Sequence, residues 1–189
     1  MARGKEQRPA EILVDRIRAR ATDRIVVLVD GPACSGKTTL ADEIAYALKA
    51  QLVHMDAFYP GWGGLEVGSS IVSSSLLAAE SPGYHRWDWA TGKQAEWHKV
   101  NPRKHLVIEG SGALSAENLA LATYGVWIHL PLLERRERKR LRDGSLNMEH
   151  WDFWAMQERA FYQRERPDLI AHTVLDSGSN VLSPEKTDD

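Results

Sequence analysis

The segment from Gly31 to Thr38 constrains this chain more than any other, because it reads Gly-Pro-Ala-Cys-Ser-Gly-Lys-Thr. This spelling matches G-x-x-x-x-G-K-T, the pattern of a phosphate-binding P-loop. A continuous apolar run (25–30) precedes the segment, and an amphipathic pattern typical of a helix follows it (38–48). A P-loop needs this strand–loop–helix context, since backbone N–H groups of the loop and the helix N-terminus hold phosphate together. The segment therefore predicts a nucleotide-binding α/β fold.

Within the loop, two side chains carry the expected chemistry. Lys37 would reach the β- and γ-phosphates of a nucleotide, and the Thr38 hydroxyl would bind Mg²⁺. The predicted nucleotide-binding set is Gly31, Ala33, Cys34, Ser35, Gly36, Lys37, Thr38 and Thr39.

Composition indicates one globular domain over residues 1–189, because a hydrophobic fraction of 43% is enough to bury a full core. The net charge of -2 gives no general attraction to nucleic acid or to an anionic membrane. No apolar run is long enough to span a bilayer, and the basic start of the chain is not followed by the apolar stretch of a secretory signal. With a single cysteine, the chain suits the cytoplasm. The polar ends, 1–8 and 178–189, are predicted to be disordered.

Five strands are predicted, at 24–30, 51–56, 105–110, 124–130 and 169–176, with helices over 10–19, 38–48, 65–79 and 145–164. The first strand lacks polar alternation, which is typical of a central parallel strand buried on both faces. In such sheets, ligands bind at the carboxyl ends of the strands. Asp56 ends the second predicted strand and Glu109 nearly ends the third, so both carboxylates should face the P-loop. Glu109 in this position resembles a Walker B acid, which can hold Mg²⁺ through water or orient an attacking hydroxyl. It is the predicted metal-binding partner of Thr38, and the choice of base between Asp56 and Glu109 stays open.

Residues 58–97 are rich in turns and aromatic side chains, and 84–97 is predicted to form a β-hairpin. Two interpretations carry about equal weight. One is an aromatic cluster that packs beneath a long loop, and the other is a pocket whose rings stack on a planar ligand. The predicted acceptor-binding residues are Asp56, Tyr59, Tyr84, His85, Arg86 and Trp87.

The segment 131–144 is dense in arginine and lysine. Most charge runs are simply solvated helices with internal ion pairs. Here, however, the run follows a strand that should end near the P-loop, which favours a mobile lid that closes over a triphosphate. Nucleic-acid binding is the minor interpretation, because the net charge does not support it.

Four groups of residues resemble the uridine kinase-like branch of P-loop nucleoside and nucleotide kinases. They are the P-loop with Thr39, the D-x-F-Y element at Asp56, Phe58 and Tyr59, the segment Val107-Ile108-Glu109-Gly110, and the lid in which spaced arginines precede Arg142-Asp143. The resemblance implies a three-layer fold in which a five-stranded parallel sheet of order 2-3-1-4-5 has helices on both faces and a short arginine-rich lid. It also implies ATP and Mg²⁺ as cofactors, and it makes Lys37, Asp56, Arg138 and Arg142 the catalytic candidates, with Asp56 as the base for the acceptor hydroxyl. Residues 61–97 depart from the family pattern, which leaves the acceptor open.

The leading hypothesis is a kinase that transfers the γ-phosphate of ATP to a hydroxyl of a small molecule, with a nucleoside as the first candidate. A second possibility is another acceptor: a nucleoside monophosphate, a vitamin precursor or an antibiotic. A monophosphate would need its own cations, and Arg86 and Arg103 are the few candidates outside the lid. The third is a non-catalytic ATP-binding switch, in which Asp56 and the lid would have little purpose. Oligomeric state cannot be read from the sequence.

Overall fold

The structure, a computed structural model, describes residues 8–21, 23–144, 148–176 and 181–182. Its strands are β1 (Val26–Asp30), β2 (Gln51–His54), β3 (Gly83–Asp88), β4 (Lys93–Lys99), β5 (Leu106–Glu109), β6 (Tyr124–His129), β7 (Thr173–Asp176) and β8 (Val181–Leu182). Its helices are α1 (Pro9–Arg20), α2 (Lys37–Leu48), α3 (Leu65–Ile71), α4 (Ala116–Ala120), α5 (Leu132–Asp143), α6 (Met148–Glu165) and α7 (Pro167–Ile170).

The main sheet has the order β2-β5-β1-β6-β7-β8. Its first five strands pair in parallel, and β8 adds an antiparallel edge. The five parallel strands follow the predicted order 2-3-1-4-5, so that prediction is confirmed, and β8 is the one addition to it. All residues of the central strand β1 are buried, as expected for a strand with a helix layer on each face.

Alternate residues of β1 face opposite layers of the core, because side chains in a strand alternate with a period of two. Val27 and Val29 pack in one hydrophobic cluster with α1 and α2. Leu28 packs in a second cluster on the other face, where it joins Phe58 and Phe161. The sheet thus lies between two helical layers, and the carboxyl ends of its parallel strands are left to carry the site.

The predicted hairpin over 84–97 is confirmed as the antiparallel pair β3–β4, which forms its own two-stranded sheet. Asp88 stabilises the turn by accepting hydrogen bonds from the backbone N–H groups of Ala90 and Thr91 at 3.0 and 3.4 Å. Gly92 adopts a φ of 64° there, in the region that glycine occupies without steric cost. A register shift between His85 and Trp87 interrupts the pairing.

Several predicted boundaries are wrong. The second strand ends at His54, and Asp56 lies in the 3₁₀ turn Met55–Ala57 that follows it. The helix expected over 65–79 ends as an α-helix at Ile71 and continues only as a π turn over Val72–Leu76. The fifth strand begins at Thr173, not 169, because Pro167 starts α7; its fixed φ suits the first turn of a helix.

The predicted disorder of the chain ends falls mainly on residues outside the described ranges. Within the described ranges, two parts of these chain ends are hydrogen-bonded, contrary to that prediction. Arg8 precedes α1, and its backbone N–H donates to the Glu11 carboxylate. Val181–Leu182 pairs with β7 as β8. None of the described helices is long and apolar enough to cross a membrane.

Candidate functional site

The segment 31–36 links β1 to α2 as the motif predicts, with its backbone turned tightly enough to place α2's first residue at Lys37. Gly36 precedes the helix with a φ of 100°, a conformation that L side chains rarely adopt. Gly31 is needed for a different reason, since a Cβ built on it would lie 2.6 Å from the Ile128 carbonyl oxygen. Both glycines of the motif are therefore fixed by geometry, and the loop has the strand–loop–helix context of a phosphate cradle.

Lys37 is 8% exposed, and its Nζ donates to the Pro32 carbonyl oxygen at 3.2 Å. The Ser111 hydroxyl oxygen lies at the outer limit of hydrogen bonding, 3.5 Å from the same nitrogen. Among the described residues, no carboxylate lies within ion-pairing distance of this ammonium group. A buried cation whose hydrogen-bond partners are neutral is costly, and the charges of Asp30 and Asp56 act on Lys37 only from beyond ion-pairing distance. The site therefore favours an anionic ligand at Lys37.

Thr38 and Glu109 meet at the carboxyl edge of the sheet. The Thr38 hydroxyl donates to Glu109 Oε1 at 3.3 Å, and His54 Nδ1 lies 2.7 Å from the same oxygen. This hydrogen bond to Glu109 is the main reason that the pKa of His54 is raised. His54, which the sequence analysis did not single out, therefore orients the Glu109 carboxylate.

The hydroxyl and carboxylate oxygens of Thr38 and Glu109 are the ligand type that Mg²⁺ prefers. Within the described ranges, no group of three or more His, Cys, Asp or Glu side chains is arranged to hold a metal ion. Mg²⁺ usually keeps several waters and is bound through one or two protein groups together with substrate phosphates. The pair Thr38–Glu109 fits that mode of binding.

Asp56 faces a cavity of about 470 Å³ that also contacts Lys37, Thr38 and Glu109. The carboxylate is exposed toward this cavity, yet the surrounding protein raises its pKa, chiefly through desolvation. The opposite walls are aromatic, formed by Tyr59, Trp62, Trp89, Trp151 and Trp154. The Asp56 carboxylate thus faces a space that is bounded by Lys37 and by aromatic rings, which we call the aromatic cavity.

A second cavity of about 490 Å³ lies on the other side of the P-loop and has a cationic wall. Cys34, Lys37, Thr38 and Arg142 line both cavities. Gly36, Thr39, Arg138 and Leu141 complete the second one, which we call the cationic cavity. The P-loop lysine therefore lies where two spaces of different chemistry meet.

The arginine-rich segment forms helix α5, which brings both catalytic arginine candidates to the cationic cavity. Arg138 donates to the Ser35 carbonyl oxygen at the limiting distance of 3.5 Å. Arg142 and Lys139 both pair with Asp143, at 2.8 and 2.6 Å, and these bonds lower the pKa of that carboxylate. The two interpretations of this segment are thus compatible, because the helix has internal ion pairs and also borders the P-loop. Its mobility stays a prediction.

Four of the predicted acceptor-binding residues lie outside both cavities: Tyr84, His85, Arg86 and Trp87. Tyr84 stacks on His98 with ring centroids 5.3 Å apart. His85 Nδ1 lies 2.9 Å from the Ala95 carbonyl oxygen, and Arg86 forms a bidentate pair with Glu96. Tyr84, His85 and Arg86 therefore contact residues of the neighbouring strand β4. Trp87 lies beside Gly61, 3.9 Å from where a Cβ on that glycine would sit.

Tyr59 does line the aromatic cavity, but its hydroxyl donates to the Ser111 carbonyl oxygen at 2.7 Å. The hairpin supplies Trp89 in place of Trp87, and Trp89 Nε1 donates to the backbone carbonyl of Asp56 at 2.9 Å. Trp151 and Trp154, one helical turn apart on α6, are largely buried but also form part of this wall.

Two buried carboxylates escaped the sequence analysis. Asp30 is fully buried and accepts hydrogen bonds from the N–H groups of Gly31, Gly112 and Leu114 and from the Tyr162 hydroxyl. Burial raises its pKa to about 7. The other, Glu158, is 2% exposed on α6 and contacts the P-loop. The sequence feature that could have identified Asp30 is an acid at the end of an otherwise apolar strand. For Glu158, the only such feature is its spacing of four residues from Trp154.

Comparisons with known proteins show the fold. No family model matches the chain, and no curated protein matches it in sequence. Among solved structures, it is similar to a possible uridine kinase from Bacillus stearothermophilus, with 20% identity, a TM-score of 0.63 and coverage of 89% of this chain and 97% of that one. A putative fructose transport system kinase from Silicibacter sp. TM1040 has 20% identity, a TM-score of 0.53 and coverage of 86% and 92%. The YGR205w protein has 10% identity, a TM-score of 0.52 and coverage of 97% and 100%. The chain shares the fold of these proteins, and the expected resemblance to uridine kinase-like proteins is confirmed at that level.

Proposed function

We propose that this protein is an ATP- and Mg²⁺-dependent small-molecule kinase that transfers a phosphoryl group to an acceptor hydroxyl, with a nucleoside as the favoured acceptor class. The observation that carries this proposal is the shared position of Lys37 and Thr38. They line a cationic cavity suited to a triphosphate and, on the other side, an aromatic cavity that contains the carboxylate Asp56. A phosphoryl transfer site needs these two compartments to meet at one point.

Each residue has a distinct role in the proposed reaction. When bound, Mg²⁺·ATP supplies the γ-phosphoryl group and a metal that neutralises phosphate charge. Thr38 and Glu109 would hold the metal, and Lys37 with Arg138 and Arg142 would stabilise charge on the transferring group. Asp56 would take the proton of the acceptor hydroxyl as that oxygen bonds to phosphorus and the bond to ADP breaks.

The rings of the aromatic cavity support an acceptor with a flat or apolar face. Rings stack on such faces, and a few polar groups then fix the orientation. Lys139 and Arg142 also line this cavity, but both pair with Asp143. The two candidates for a separate phosphate clamp do not support a monophosphate acceptor: Arg86 is paired with Glu96, and neither it nor Arg103 lines the cavity.

The test is ADP release from Mg²⁺·ATP in the presence of a panel of nucleosides, nucleoside monophosphates, sugars and other hydroxyl compounds. We expect stimulation by uncharged nucleosides that is abolished in Lys37→Ala and Asp56→Asn. The sugars are included because one structural neighbour is described as a fructose transport system kinase. Tight nucleotide binding without stimulation by any class of acceptor would reject the proposal and favour an ATP-binding switch.

A further inference from the structure

Glu158 is a buried carboxylate with no part in the proposed reaction, and its hydrogen bonds join the P-loop to the tryptophan wall of the aromatic cavity. On one side, its Oε1 accepts from the backbone N–H of Ala33, in the P-loop, at 2.6 Å. The same oxygen lies 3.0 Å from Trp154 Nε1, which donates to it from the wall of the aromatic cavity. The Ser111 hydroxyl, 2.9 Å away, approaches this oxygen as well.

Arg135 provides the opposing charge. Its Nη1 lies 3.1 Å from Glu158 Oε2 and also donates to the Ala33 carbonyl oxygen at 3.3 Å. The guanidinium lies over the Trp151 ring, 5.7 Å from its centroid. The pair therefore holds Ala33 through both of its backbone polar groups, while each member contacts one tryptophan of the aromatic cavity.

This arrangement has a specific consequence for the P-loop. Backbone N–H groups of the loop bind phosphate, but the Ala33 N–H is already bound to Glu158. Any adjustment of the loop around a nucleotide must therefore change the Glu158 contact or be transmitted through it. Because packed, hydrogen-bonded interiors transmit small displacements, Trp154 would respond.

We propose that Glu158 is a positioning residue that holds the tryptophan wall of the aromatic cavity in register with the P-loop, with Arg135 as its counter-charge. The effect is to place a bound acceptor at a defined distance from the phosphate held by Lys37. The inference rests on the proposed function in taking the aromatic cavity as the acceptor site, so its test uses no acceptor.

The experiment is acrylamide quenching of tryptophan fluorescence with and without a saturating Mg²⁺ complex of a non-hydrolysable ATP analogue. Wild type, Glu158→Met and the control Asp152→Asn are compared; Asp152 is an exposed acid on the same helix. Calorimetry measures analogue affinity in each variant. Trp154→Phe identifies how much of the fluorescence change comes from Trp154.

We expect the analogue to reduce quenching in wild type and Asp152→Asn, and Trp154→Phe to lose at least half of that reduction. In Glu158→Met, which removes the accepting oxygen, the analogue should bind within about threefold of its wild-type affinity, while the reduction falls below a quarter of the wild-type value. If Glu158 merely packed the core, its variant would show higher quenching in both states and keep the difference between them. That result, or an unresponsive wild type, overturns the inference.

Removing one partner of a buried pair can prevent folding. The double variant Glu158→Met/Arg135→Met removes both charges and the accepting oxygen and keeps the experiment decisive, because replacing a whole buried ion pair by hydrophobic residues of similar volume is often tolerated. The inference requires the double variant to bind the analogue and still lose the fluorescence difference; retention of the difference counts against it. Absence of acceptor-stimulated ADP release in wild type would instead count against the proposed function and leave this readout intact.

Discussion

The cationic cavity and the aromatic cavity share Lys37 and Thr38 but are built from the chain in different ways. The cationic cavity comes from two short segments, the P-loop with the first turns of α2 and the last turns of α5. The aromatic wall draws its four tryptophans from the loop before α3, the hairpin and α6, positions far apart in the chain. A contiguous motif fixes the first compartment, whereas the second depends on how distant elements pack. Donor and acceptor functions should therefore be separable by mutation, in the following order of effect.

The largest effect is expected for Lys37→Ala. Removing the only P-loop ammonium takes away charge stabilisation of the transferring group, and the loss of one such preorganised group lowers kcat by about 10²–10³-fold. Steady-state ADP release measures it. The matched control is Lys104→Ala, an exposed lysine away from both cavities; a loss in the control equal to that of Lys37→Ala would contradict the assignment.

Asp56→Asn should follow, with kcat lowered by about 10²–10³-fold, because general base catalysis contributes factors of this order. Nucleotide affinity should change little, since Asp56 lines the aromatic cavity and not the cationic one. Calorimetry with a non-hydrolysable ATP analogue provides the second measurement. Weaker binding of the analogue to Asp56→Asn would show that Asp56 contributes to nucleotide binding.

The pH profile gives a control for the same residue. The base must be ionised, and burial raises the pKa of Asp56, so wild-type turnover should fall as pH drops through that raised pKa, at a pH above the ordinary aspartate value. The fall should approach about tenfold per pH unit. Asp56→Asn should lack this acid limb; an unchanged limb would show that a group other than Asp56 causes the fall.

Trp89→Ala should have an intermediate effect that is confined to the acceptor. It removes a ring that packs 5.2 Å from Trp62 and the hydrogen bond to the Asp56 carbonyl. We expect the KM for the acceptor to rise about tenfold, as for loss of an aromatic stacking partner, with the KM for ATP unchanged. Trp97→Ala, on the exposed part of the hairpin, is the control and should leave both constants near wild type. Equal changes in the KM for the acceptor and the KM for ATP would show that the two cavities do not act separately.

Arg86→Ala should have the smallest effect, less than about twofold on any kinetic constant, because an exposed ion pair contributes little. Its partner is Glu96 on the neighbouring strand, outside both cavities. The sensitive measurement is the acceptor KM for a nucleoside and its monophosphate side by side. A dependence on Arg86 that appears only with the monophosphate would restore the alternative acceptor class.

The sequence predicted the backbone of the P-loop and its flanking elements well because their determinants are local. The spacing of Gly31, Gly36, Lys37 and Thr38 specifies a backbone shape, and the apolar run before it specifies a buried strand. The position of Asp56 beside the P-loop also followed from the parallel order of the strands, even though it lies in a 3₁₀ turn.

The lining of the aromatic cavity was predicted less accurately, because the local sequence pattern does not show which aromatic ring faces a cavity. The register shift between His85 and Trp87 changes which residues of the hairpin turn inward, and no short motif marks such a shift. Trp154 has the spacing of a core residue and is indeed buried, but it packs at the boundary of a cavity. Tertiary packing decided these positions.

The β3–β4 hairpin has one property with practical consequences. Its two strands pair with each other as a separate sheet, and its Trp89 donates a hydrogen bond to the Asp56 backbone in the 3₁₀ turn Met55–Ala57. A change of hairpin sequence would therefore leave the hydrogen-bond ladder of the main sheet intact. The segment is a natural unit for exchange when a different substrate range is wanted, and a replacement would need to keep one N–H donor where the Trp89 indole now lies.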